Sequence, residues 1–341
     1  MILSLLLILL NFCIYKNTNK IANFINVYDK PDKVLKKHKV STPLLGGLIL
    51  ILNLILIIIF NFLFNYDLFK GNFSLRAICS IVFFVTSFFF LGLIDDKYGL
   101  MPEKKIILSI LFSIIILTLN DDLILSDIRI SFYKNPIFLN NFSYFFTIFC
   151  IIILINSINF YDGINGQSII FFTICFSYLA YRSQINIFYI LVILILLILL
   201  ILNLRGKIFM GDNGIYLLGS ILITSLIYEY NYFESIIFVD EIFFLLIIPG
   251  FDLVRLTVTR VYNGKNAFYG DRNHIHHLLI KKYSLLRTNL ILLLLTLLPI
   301  FSYSLIRINF FIVLILITII YVSLIFKLKY NDKKYYIRKK K

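Results

Sequence analysis

Long uninterrupted apolar runs dominate this chain and leave few folds open to it. They cover roughly 44–64, 77–94, 105–119, 142–160, 186–204, 213–228, 236–252, 288–306 and 309–327, with two shorter ones at about 1–15 and 167–181. A helix of about 20 apolar residues crosses the ~30 Å of hydrocarbon in a bilayer. Helices buried in a soluble protein are the plainer reading, but they seldom reach this length so often in one chain. With 60% apolar and only 15% charged residues, the composition also lies outside the soluble globular class. The expectation is an all-α polytopic integral membrane protein, a bundle of about 10–11 transmembrane helices.

Charge sets the expected orientation. The first run has no basic residue before it and no A-x-A site after it, while Lys16 and Lys20 follow it. That favours a retained first helix with the N-terminus outside. With eleven spans, the segments then placed inside are about 16–43, 95–105, 156–168, 203–213, 252–288 and the tail from 327. They carry 27 of the 33 Lys and Arg residues. Such asymmetry is the positive-inside pattern. The net charge of +15 is thus a topology signal, and with no soluble domain to display a basic face, nucleic acid is not an expected partner. The C-terminal basic residues suit anionic headgroups of the lipid bilayer. One catalytic membrane domain is expected over 1–327, with a basic cytoplasmic tail over 328–341. The four cysteines (Cys13, Cys79, Cys150 and Cys175) lie in or beside the runs without a C-x-x-C pair and read as small apolar fillers.

The polar residues with chemical potential all follow apolar runs that end on that same side. Asp95-Asp96 closes one run; adjacent carboxylates repel, and a divalent cation or a basic partner relieves this. Asn156, Asn159 and Asp162 recur every three residues and share an arc of about 120° on a helix. Gly163 and Gly166 then break that helix and permit close backbone approach. Lys207 to Gly214 forms a tight turn between spans, with Asp212 flanked by glycines. One carboxylate there suits Mg²⁺, which fills its shell with phosphate oxygens and water. A hydrated acid pair beside Lys97 and ordinary glycine turns are the plainer readings.

His274, His276 and His277 are three of the four histidines and follow Asp271-Arg272. Zinc is the first rival reading, but neighbours on a helix point ~100° apart and no cysteine lies nearby. Asp271 could cap a helix that places Arg272 and the imidazoles in its first turns, a setting suited to nucleotide phosphates. A loop of solvated histidines is the plainer alternative. The first inside segment adds Asp29-Lys30-Pro31, Lys36-Lys37-His38 and Thr42-Pro43-Leu44-Leu45-Gly46-Gly47, a basic interfacial stretch able to attract a lipid phosphate.

In order along the chain, these motifs resemble the polyprenyl-phosphate N-acetylhexosamine-1-phosphate transferase superfamily. The form Asp271-Arg272-Asn273-His274-Ile275-His276-His277 is similar to the branch that uses UDP-N-acetylglucosamine or related sugars. It is less similar to the phospho-N-acetylmuramoyl-pentapeptide branch. The resemblance implies Mg²⁺-dependent transfer of a sugar-1-phosphate from a UDP-sugar to undecaprenyl phosphate, with release of UMP, at the cytoplasmic face of a bacterial-type plasma membrane. Mn²⁺ is the expected substitute metal, and a homodimer is a family expectation. Such a product initiates a cell-surface polysaccharide.

Carried over by motif, Asp212 is the metal ligand. Asp95 is the base toward the lipid phosphate, or the nucleophile of a two-step version, with Asp96 in support. Asp162 and His276 join these as catalytic candidates. Asn156, Asn159 and Asn165 line the nucleotide and metal site. Arg272, His274, His276 and His277 hold the sugar diphosphate, while Lys36, His38, Lys105 and Lys207 lie near the acceptor phosphate or the pyrophosphate. Two departures stand out: Ile215 where the family has Ser or Thr, and Ser109 where it commonly has Gln. Among rivals, a transporter would carry its carboxylates near mid-bilayer, whereas here mid-span regions are almost free of charge. A CDP-alcohol phosphatidyltransferase would need a D-G-x-x-A-R pattern that Asp162-Gly163-Ile164-Asn165-Gly166 does not supply.

Overall fold

The computed structural model describes residues 2–29, 41–64, 68, 74–183, 185–265 and 272–339, with side chains to 329. Every apolar run is helical. The helices are α1 (Ile2–Lys16), α2 (Thr18–Ile25), α3 (Gly46–Phe64), α4 (Leu75–Tyr98), α5 (Pro102–Leu119) and α6 (Ser143–Tyr161). They continue as α7 (Gln167–Arg182), α8 (Asn186–Leu204), α9 (Gly211–Asn231), α10 (Val239–Tyr262), α11 (Ile275–Ile280), α12 (Leu285–Ile300) and α13 (Phe310–Lys339). Two short antiparallel pairs are the only strands among the described residues: β1 (Tyr28–Asp29) with β2 (Thr42–Pro43), and β3 (Asp127–Ile128) with β4 (Ile137–Phe138). The chain is an all-α polytopic membrane protein.

Seven helices are long and apolar enough to cross a membrane, or eight if α1 and α2, bent by 69°, count as one span. The ten or eleven expected include α5, α7 and α9, which fall short of that length and apolarity. Glu103, Lys104 and Lys105 sit in the first turn of α5, and α7 has only 16 residues. For α9 the reason is packing. Every residue from Asn213 to Tyr230 is buried by α4, α3, α6 and α7, so its surface meets protein rather than lipid and can carry Ser220, Thr224, Ser225 and Glu229. At the other end of the chain, α13 runs through the expected tail boundary at 327 without a break.

Between apolar helices in lipid, small residues and paired amides hold the packing. Gly47 of α3 and Gly92 of α4 let both backbones lie against the start of α9. A β-carbon at Gly92 would strike the Asp212 carbonyl and the Asn213 backbone, and one at Gly47 would strike Asn213 and Gly214. Asn11 of α1 and Asn53 of α3, both buried, exchange amide hydrogen bonds of 2.8 and 3.2 Å.

The two ends of the bundle are closed by separate polar networks. At the far end, Glu229 accepts from Ser183, Ser235 and, at 2.9 Å, Tyr189. There too Arg182 donates to Glu241 at 3.0 Å, and Asp240 accepts from Tyr303 at 2.9 Å and from the Ser131 N–H at 2.8 Å. The opposite end gathers the residues singled out from the sequence. Overpacking a tight contact costs about 1–3 kcal/mol, so Gly92→Ala should lower the melting temperature of the detergent-solubilised protein. Gly250→Ala, where a β-carbon meets nothing within 4 Å, should leave it unchanged.

Candidate active site

At the C-terminal end of α4, the two adjacent carboxylates have different surroundings. Asp95 is buried; its Oδ1 accepts the Leu100 N–H at 2.7 Å and its Oδ2 is paired with the Lys105 ammonium. Lys105, from the first turns of α5, also lies 3.3 Å from Oδ2 of Asp212 at the start of α9. One ammonium therefore stands between two carboxylates from helices over a hundred residues apart. Asp96 turns the other way. It accepts the N–H groups of Asp212 and Asn213, each at 2.9 Å, and the Asn213 side-chain amide. It thus caps the otherwise unpaired N–H groups of the first turn of α9, and that capping sets where Asp212 points.

The α3 start joins the same corner. Gly46 N–H donates to the Phe209 carbonyl at 3.0 Å, Phe209 N–H to Pro43 at 2.9 Å, and the Asn213 amide to the Leu44 carbonyl at 3.1 Å. From there the chain of contacts runs on: Asn203 donates to the Ile208 carbonyl at 3.0 Å and accepts the Gly166 N–H at 2.6 Å. Asn289 of α12 donates to the Asn165 carbonyl at 2.9 Å. The turn after α6 is thereby fixed to the ends of α8 and α12.

Asp162, half-buried, ends α6 within this turn. Burial pushes its carboxyl up to about 6, against a smaller opposing effect of Ser168. Asn156 and Asn159 lie on the preceding turns, half-buried, with the Asn156 amide donating to the Ile152 carbonyl at 2.8 Å. Asn165 is half-buried and Lys207 exposed.

The histidine segment is organised by a residue that sequence reasoning missed. Asp252 of α10, 2% exposed, accepts from His274 Nδ1 at 2.8 Å, Arg255 Nη2 at 2.6 Å, Tyr321 Oη at 2.9 Å and the Ile275 N–H at 3.2 Å. Arg255 Nη2 donates also to the Asn273 carbonyl at 2.7 Å. The helix expected after Asp271 begins only at Ile275 and spans six residues, with His274 at its N-cap. Its dipole is therefore too short to carry the phosphate argument; the orientation comes from Asp252 instead. The three rings stay together, with centroids of His274 and His276 5.4 Å apart and those of His276 and His277 4.2 Å apart. Burial depresses both neighbours: His276 falls well below the ordinary imidazole value. His277, where the positive charges of Arg272 and Lys281 add to the effect of burial, is lowered to about 4. Half-buried Arg272 sits at the edge of this group. Lys36, His38 and Asp271 lie outside the described residues.

Among the described residues no three His, Cys, Asp or Glu side chains surround one point as a self-sufficient metal site. The donor set nevertheless fits Mg²⁺, which takes one or two protein carboxylates and completes its shell with phosphate and water. Asp95 and Asp212 already converge on a single cationic group, Lys105. A second feature suits an amphiphile. Between α10 and α13 an apolar groove of about 1020 Å³ has Arg255 and Lys329 among its lining residues.

Residues 78–229 match glycosyl transferase family 4. That segment contains Asp95, Asp96, Lys105, Asp162 and Asp212. The undecaprenyl-phosphate alpha-N-acetylglucosaminyl 1-phosphate transferase of Salmonella typhi is 27% identical over 274 residues, covering 77% of this chain and 71% of that protein. The protein of the same name from Escherichia coli K12 is 26% identical over 276 residues, with the same coverage of each chain. A probable undecaprenyl-phosphate N-acetylglucosaminyl 1-phosphate transferase of Bacillus subtilis is 27% identical over 292 residues, covering 82% of this chain and 76% of that one. These matches support the polyprenyl-phosphate sugar-1-phosphate transferase family, to which the motifs had pointed.

Signals for several missed residues were present. Asp252 closes an apolar run as Asp95 does, and Gln167 lies two residues past the polar 156–165 motif. Asn203, at the end of the 186–204 run, and Asn289 belonged to no motif, and the turn residues they hold, Gly166 and Asn165, lie 37 and 124 residues away. Because burial raises the Asp162 carboxyl, its ionised form destabilises the fold, and that cost is absent below the unfolded value of 3.8 and complete above about 6. Asp162→Asn should therefore melt a few degrees higher than wild type at pH 7.5. The gap should close as the pH falls through about 6 toward 4.

Proposed function

We propose that this protein is a membrane-embedded enzyme that transfers an N-acetylhexosamine 1-phosphate from a UDP-sugar to undecaprenyl phosphate, releasing UMP. The observation that carries the reading is the meeting of Asp95, Lys105 and Asp212 at one end of an apolar bundle. The names of the relatives supply the lipid acceptor and the sugar class, and the groove between α10 and α13 offers apolar walls of the kind a lipid tail needs.

Phosphoryl transfer asks for alignment and charge neutralisation more than covalent machinery. An oxygen of the lipid phosphate attacks the sugar-bearing phosphorus, that P–O bond forms, and the bond to the UMP oxygen breaks. Asp95 is positioned to take the proton from the attacking phosphate. Lys105 neutralises oxygens along the line of transfer and draws Asp95 and Asp212 toward one point. Asp96 keeps the first turn of α9 in place, so Asp212 is presented at a fixed point. Asn156, Asn159, Asp162, Asn165 and Lys207 serve the nucleotide and its diphosphate from one side, Arg272, His274 and His277 from the other. Mg²⁺, or Mn²⁺ in its stead, would be held by Asp212 with Asp95 beside it, and would supply neutralisation of the diphosphate.

In membranes given labelled UDP-N-acetylhexosamines and undecaprenyl phosphate, lipid-linked sugar phosphate and UMP should form in equal amounts. Asp95→Asn and Asp212→Asn should each reduce the rate at least ~100-fold, as expected when a charge-stabilising group is removed. EDTA should stop the reaction and Mg²⁺ restore it. A full rate in Asp212→Asn would remove the metal assignment. The charge pattern also argues for the site lying on the cytoplasmic side, with the N-terminus outside. Single cysteines replacing the exposed Lys97 and Lys207 should then react with an impermeant reagent only in inverted vesicles, and one replacing Tyr133 only in intact cells. The same sidedness at all three positions would contradict this orientation.

A further inference from the structure

One contact joins the turn after α6 to the histidine helix α11, and the reaction scheme above does not use it. Gln167, the first residue of α7, is 2% exposed, and its Nε2 lies 3.2 Å from Nδ1 of His276, itself 1% exposed. A carboxamide nitrogen can only donate. With the amide in this orientation the imidazole nitrogen facing it accepts, which leaves the single proton of the neutral ring on Nε2. That nitrogen lies against Gly163, where a β-carbon would collide with it. The Tyr161 ring closes a third side, edge-on at a centroid distance of 6.4 Å. His276 has the Gln167 amide on Nδ1 and the Gly163 backbone packed against Nε2, which leaves the ring little room to turn.

We infer that Gln167 is a positioning residue, which holds His276 as its Nε2–H tautomer and so clasps the Asp162–Asn165 turn to the histidine helix. The two segments it joins carry candidates for opposite sides of one diphosphate: Asp162 and Asn165 on the turn, His274 and His277 on the histidine segment. Their separation must be fixed, since a misplacement of ~1 Å at a reacting centre can cost on the order of 10²-fold in rate. Adjacent rings are set by different helices. His274 takes its orientation from Asp252 of α10, and His276 takes its own from α7. Since burial keeps His276 neutral near pH 7, Gln167 decides the tautomer and not the charge. The consequence for catalysis rests on the transfer reading; the tautomer and the clasp do not.

The test uses full-length protein labelled with ¹⁵N-histidine in detergent, where only four imidazoles contribute signals. Wild type should show a neutral ring with an unprotonated Nδ1, and Gln167→Met, similar in length but without a donor, should lose that signature. Sugar-phosphate transfer by Gln167→Met should fall about 10-fold in kcat/KM, the scale of one lost buried hydrogen bond. Gln167→Glu keeps the shape but, ionised, can only accept; it should move the proton to Nδ1 and lose at least as much activity. If Gln167→Met does not fold, the Glu variant carries the same readouts. A wild-type ring protonated at Nδ1, or a folded Gln167→Met with unchanged tautomer and kcat/KM within twofold, overturns the inference. Wild-type protein that shows the stated tautomer yet transfers no sugar phosphate would sink the transfer reading and leave the clasp standing.

Discussion

The carboxylate of Asp96 ties the end of α4 to the first turn of α9, and the rest of the site takes its position from that tie. Helix starts leave N–H groups without partners, and in an apolar bundle these must be satisfied by protein. Asp96 meets two of them and the Asn213 amide. The consequence is geometric. Asp212 is brought to the same ammonium as Asp95, and the adjacent pair Asp95-Asp96 is split between chemistry and scaffolding. A single acidic residue at the end of α4 could not serve both.

The bundle has two polar ends with different designs. At the far end the acids are matched to hydroxyls and guanidinium groups: Glu229 to Ser183, Tyr189 and Ser235, and Glu241 to Arg182 and Tyr178. Those carboxylates are saturated, which suits a closure. At the site end Asp212 has the Lys105 contact and keeps 30% of its side chain exposed. An acid left partly open beside a cation is suited to receive a charged ligand; an acid enclosed by hydroxyls is suited to hold helices together.

Much of this was legible in the sequence, for a physical reason. A polar residue at the end of an apolar run costs stability unless something uses it, so such residues stand out without any knowledge of the fold. That rule picked out Asp95, Asp96, Asp162 and Asp212, and applied more strictly it would have found Asp252. It could not assign partners. Whether Asp95 or Asp96 faces the ammonium depends on a rotation of 100° about the α4 axis, which only packing against α9 decides. The start of the histidine helix was misjudged for a similar reason: a capping residue was sought next in sequence, whereas Asp252 reaches His274 and the Ile275 N–H from 22 and 23 residues away. The number of crossings was read from apolarity, and the three helices on which the two readings differ are a short one, one that opens on charges and one that is enclosed.

That enclosed helix, α9, alters how the protein's history should be read. A segment sheltered by its neighbours is not selected for greasiness; it is selected for fit, as the interior of a water-soluble domain is. Mutational drift along Asn213–Tyr230 should therefore conserve volume and permit hydroxyls, while the outer helices conserve oiliness and permit changes of shape. Scales calibrated on lipid contact will pass over such a segment, though it is buried along almost its whole length and presents the carboxylate on which the proposed chemistry depends.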